Sequence, residues 1–128
     1  MTHVVRSIRR HKQALAADQE DVAIGRRLAL ADPAGREPGL AQAVYNLAVD
    51  LHKLARHDDA RPQGEEVAAI LRRLARKDPV SHQGEPADTL YNFAFDLGKL
   101  GRHDEALAVG LQAVEIRVSS TLRTHERM

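Results

Sequence analysis

Apolar residues recur three and four apart in two segments: Val44, Leu47, Ala48, Leu51 and Leu54, then Leu90, Phe93, Ala94, Leu97 and Leu100. That spacing puts each set along one side of an α-helix. Glu37-Pro38 and Glu85-Pro86 supply helix starts, because proline is favoured in a first turn. Gly101 predicts the stop of the later helix, and Ala55 stands at the matching place in the earlier one. A second helix is expected after each, capped by Asp58 and by Asp104 and running through about Ala75 and about Val118. Asp32-Pro33 and Asp78-Pro79 end the preceding helices, since the residue before proline avoids the helical region.

Two places are open at this level. Pro62 and Gly64 interrupt the second helix of the first pair, which either starts late, near Glu65, or bends there. Val4 to Ala31 reads either as one long helix or as two broken near His11.

The chain repeats itself. At an offset of about 46 residues, Tyr45-Asn46 falls on Tyr91-Asn92, Lys53-Leu54 on Lys99-Leu100, and Arg56-His57 on Arg102-His103. The register extends backwards: Arg10-His11 matches Arg56-His57, and Arg27-Leu28-Ala29 matches Arg73-Leu74-Ala75. Residues 1–32 therefore form the back half of a repeat, 33–78 a first whole one, and 79–128 a second with a tail, in one domain spanning 1–128. Aromatics are 3% of the residues, so the core falls to Ala, Leu, Val and Ile, which suits close helix packing.

Charge and composition narrow the chemistry. A formal net charge of +1 argues against nucleic acid as partner. Arg6, Arg9, Arg10 and Lys12 form the one basic cluster, read as a solvated helix face. Without cysteine there is no disulfide, thiolate metal site or thiol nucleophile. No apolar run approaches the roughly 20 residues that span a bilayer. Nor does an apolar segment follow the charged start, so no signal peptide and a cytoplasmic location are expected.

The stretch 87–117 resembles a tetratricopeptide repeat. Leu90, Phe93-Ala94 and Leu97 match its first helix, Leu100-Gly101-Arg102-His103 its turn, and Ala106 and Ala113 its second helix. Residues 41–71 keep Val44, Leu47-Ala48, Leu51 and Ala60. The unit exceeds the family's usual 34 residues or so, which predicts a loop of about a dozen residues between units. Long-linker forms of this kind resemble arrays in bacterial multidomain proteins. The resemblance implies an all-α fold, a short right-handed α-solenoid of two full repeats and a partial one. It also implies a concave groove, lined by the first helices, for a protein or peptide partner: an adaptor or scaffold, or a regulatory subunit of a larger signalling protein.

Carried over by position, that groove comprises Gln42, Tyr45, Asn46, Val49 and Lys53, then Asp88, Tyr91, Asn92, Phe95 and Lys99. These positions lie three or four apart, away from the Leu-rich stripe. Architecture is the competing reading: Tyr-Asn recurs because the repeat was duplicated. His57-Asp58 and His103-Asp104 invite a metal-phosphohydrolase reading, but each pair occupies the same turn of a different repeat, and the remaining histidines lack ligand spacing. Ser81, Ser119 and Ser120 have no recognisable base. Neither an enzyme nor a metal or other cofactor is expected.

The last helix raises an edge problem. Leu107, Leu111, Val114 and Val118 form one stripe, Ala106, Val109 and Ala113 another, and only Ser119 to Met128 remain to cover either. A stripe left wet predicts self-association, a homodimer, as the alternative role.

Overall fold

The repeat pattern becomes five α-helices in the computed structural model, which describes residues 2–77 and 85–126, with side chains at 3–77, 86–119 and 121–122. The helices are α1 (Thr2–Ala31), α2 (Pro33–Lys53), α3 (His57–Lys77), α4 (Glu85–Lys99) and α5 (His103–Glu126). No strand occurs among the described residues, so the fold is all-α, built from paired helices as expected. The Asp78-Pro79 stop, Ser81 and His82 lie outside the described residues, as do the side chains of Ser120 and His125.

Several boundaries differ from the sequence expectation. α1 is unbroken through His11. Nothing near His11 forbids a helix, and local propensity carries it through. No dozen-residue loop separates α1 from α2; Asp32 alone does. Its carboxylate accepts a hydrogen bond from the Gly35 amide at 3.1 Å, and Pro33 occupies the first helical turn. A Cβ on Gly35 would lie 2.3 Å from that carboxylate, so a larger residue there would have to displace the cap. α2 thus starts at Pro33, and Glu37-Pro38 falls inside it.

The second helices are also longer than expected. α3 begins at His57, with Pro62 and Gly64 inside it rather than before it. It reaches Lys77, and α5 continues past Val118 through Glu126, so most of the supposed tail is helix. Asp58 and Asp104 do not cap. They lie within the first turns, beside the positive end of the helix dipole. Arg56 and Arg102 precede those turns and pair instead with Asp59 at 3.0 Å and Glu105 at 2.9 Å.

The turns within the two helix pairs are copies of each other. The Arg56 amide donates to the Leu51 carbonyl and the Ala55 amide to that of His52. Arg102 donates to Leu97 and Gly101 to Gly98 in the same way. This is a Schellman ending, which needs a left-handed residue after the helix. Gly101 (φ 78°) supplies it in one repeat and Ala55 (φ 60°) in the other.

The chain divides into two compact units, Met1–Val67 and Ala68–Met128. In the first, α1 packs on α2. Leu15 and Val22 of α1 are buried, as are Leu40, Val44, Leu47 and Leu51 of α2. In the second, α4 packs on α5. Leu90, Phe93 and Leu97 of α4 are buried there with Val109, Ala113 and Ile116 of α5. A Cβ on Gly110 would stand 3.9 Å from Ala94, so small residues let these helices approach closely. Each unit carries the same polar tie at the same repeat position. Arg26 donates to Glu66 at 2.6 Å in the first, and Arg72 donates to Gln112 at 2.8 Å in the second.

Candidate partner-binding surface

Burying Val44, Leu47 and Leu51, and their counterparts Leu90, Phe93 and Leu97, leaves the opposite side of each first helix outward. The predicted groove residues follow from that core stripe. On α2, Gln42, Asn46 and Lys53 are exposed, while Tyr45 and Val49 are half-buried. The Gln42 amide donates to the Asn46 side chain at 3.0 Å, joining two polar positions one turn apart.

The α4 face is the more apolar. Asp88, Tyr91, Asn92, Phe95 and Lys99 are all exposed, with Tyr91 at 39% and Phe95 at 66%. Both rings carry a cation. The Lys99 ammonium stands 5.3 Å from the Phe95 centroid, and the Arg117 guanidinium 5.5 Å from that of Tyr91. Arg117 also donates to Asp88. The sequence reading missed Arg117 because it lies in α5, and only packing of α5 on α4 brings it to this row.

A second feature of the first unit was not visible in the repeat pattern. α1 and α2 flank a groove of about 460 Å³ whose lining includes Ile24, Leu28 and Leu40, with Asp21, Arg36 and Asn46 among its polar groups. Beyond Asp21, the Asp18 carboxyl faces that of Asp50 across the two helices, and one of its oxygens is buried without a hydrogen-bond partner among the described residues. Burial first, then the neighbouring Asp50 carboxyl and the negative charge of Asp21, pushes the Asp18 carboxyl up to about 7.

The histidine pairs behave as turn residues. His57 and His103 open α3 and α5. His57 Nδ1 lies 2.8 Å from Nδ1 of His52, a buried residue at the end of α2. Among the described residues, no three His, Asp or Glu side chains gather to hold a metal ion. No helix of these residues is long and apolar enough to cross a membrane.

Along α5 the two stripes part company. Val109 and Ala113 are buried, whereas Leu107, Leu111, Val114 and Val118 stay exposed.

No curated protein and no solved structure matches the chain. The pattern of the tetratricopeptide repeat does, over residues 40–78 and 87–120, together more than half of its length. These spans cover most of α2 with α3 and most of α4 with most of α5, the helix pairs joined by the two Schellman turns. The chain belongs to the tetratricopeptide repeat family.

Proposed function

We propose that this protein is an adaptor that binds a protein or peptide partner on the outward faces of its first helices. Tetratricopeptide repeats generally mediate protein–protein interaction and are non-catalytic, which supports the class of role. The observation that carries the site is the exposed pair Tyr91 and Phe95, one turn apart on a helix whose other side is core. Aromatic rings with a cation poised over each offer apolar area and charge together, the composition of strong interface positions. On α2 the corresponding partner-facing residues are Gln42, Tyr45, Asn46, Val49 and Lys53; on α4, Asp88, Asn92 and Lys99 complete the set.

Affinity capture with wild type and with Tyr91→Ala/Phe95→Ala tests this. A partner held by wild type and lost at least tenfold by a variant of unchanged helicity is the expected result, equivalent to about 1.4 kcal/mol or more. Equal capture by both ends the reading for α4.

A second reading, self-association, is supported by one observation: Leu107, Leu111, Val114 and Val118 are all about half exposed or more, along one face of α5.

A further inference from the structure

The groove between α1 and α2 has a polarity that specifies an occupant. The two helices run antiparallel, with Gly25 against Leu40 and Asp18 beside Asp50. The Leu28 and Arg36 end is therefore opposite the Asp21 and Asn46 end, with Ile24 and Leu40 between them.

Each end is charged. Asp21 lines the groove, and the Asp18–Asp50 pair lies one turn further along the same two helices. No ion pair neutralises these three carboxyl groups among the described residues. Arg36, at the other end, is exposed and likewise has no ion-pair partner among the described residues. The floor between is apolar, and Ile24 and Leu28, both about 40% exposed, keep much of their surface in water. Gly39, in the wall, has open space where a Cβ would project.

The geometry points to a docking site for an extended peptide segment that sets a lysine or arginine at the Asp21 end and an apolar side chain over Ile24 and Leu40. From Asp18 to Leu28 is ten helical steps, roughly 15 Å at 1.5 Å each. An extended chain at about 3.3 Å per residue covers that with four or five residues. Arg36 then meets a carboxylate at the far end of the segment. This rests on the reading of the protein as a peptide- or protein-binding module and adds the chemistry of the ligand.

The test is an amide-resolved NMR titration of the full chain with three acetylated, amidated peptides: Lys-Leu-Leu-Glu, Glu-Leu-Leu-Glu and Lys-Gly-Gly-Glu. The first is expected to shift Gly25, Gly39 and Asn46 and to bind at least tenfold more tightly than either of the others. Gly39→Trp, which sets an indole in the lining where a Cβ has open space, is expected to abolish binding while helicity and Tm hold. Asp21→Asn, at an exposed position, is expected to weaken the lysine peptide alone. Equal binding of Glu-Leu-Leu-Glu, shifts centred on Tyr91 and Phe95, or full binding by Gly39→Trp would each overturn the proposal. If no peptide binds while Tyr91→Ala/Phe95→Ala still loses its partner, this inference fails and the adaptor reading stands.

Discussion

Ala55 holds a backbone conformation that glycine holds at the equivalent place 46 residues later, at Gly101. An L-residue in the left-handed region costs roughly 1–2 kcal/mol, part of which glycine returns through its freer unfolded chain. Ala55→Gly is therefore expected to raise stability by about 0.5–1 kcal/mol in urea unfolding, with the slope unchanged. A loss would show that the Schellman turn tolerates the Cβ without strain. Asp18 gives a residue-scale dependence on pH. Its folded pKa of about 7 exceeds the ordinary 3.8, so the folded chain holds the proton more tightly than the unfolded one. Stability from this group is therefore greatest below about pH 4 and declines as pH rises through 7. Asp18→Asn should remove that decline and stabilise the protein at pH 8 by about 1–2 kcal/mol, allowing for solvent screening. An unchanged pH profile would mean that Asp18 and Asp50 separate instead of facing each other.

Among the helices, α3 carries the clearest conflict between local preference and fold. Pro62 sits inside it, beyond the first turn, where proline removes a hydrogen bond and crowds the preceding turn. The helix nevertheless starts at His57, because the Schellman turn and the Arg56–Asp59 pair set its beginning, and Ala60 and Val67 are fully buried. Pro62→Ala should stabilise the protein by about 1–3 kcal/mol, read as a rise in Tm at constant helicity. A drop would identify the proline as part of the packing. Pro38 in α2 sits comparably deep, behind the Asp32 cap.

For the molecule as a whole, the exposed stripe of α5 decides between a monomer and an assembly. Under the self-association reading, light scattering gives a dimer for wild type and a monomer for Leu111→Glu, since charge in a closed apolar interface is expensive to desolvate. A concentration-independent wild-type monomer leaves α5 with no such role. The two stripes differ because only one faces α4. Val109 and Ala113 pack inward, and Leu107 and Leu111 lie on the other side of the same turns.

The repeat offset and the three- and four-residue spacing of Val44, Leu47, Leu51, Leu90, Phe93 and Leu97 were enough to determine an all-α family of helix pairs, because helical periodicity is a local property. Exposure of most of the groove positions was legible for the same reason: a residue opposite a buried stripe faces outward. Tyr45 and Val49, half-buried, are the exceptions. Helix ends were less legible. Asp32 caps α2 ahead of Glu37-Pro38, where the start was expected, and Asp58 and Asp104 lie inside first turns they were expected to cap, since neighbouring backbone groups compete for those ends. Only tertiary structure brought Arg117 over Tyr91, set His52 against His57, placed Asp18 beside Asp50, and opened the groove beside Arg36. Each of these joins side chains from different helices, and the distance between helices is fixed by packing, which no period along one chain segment records.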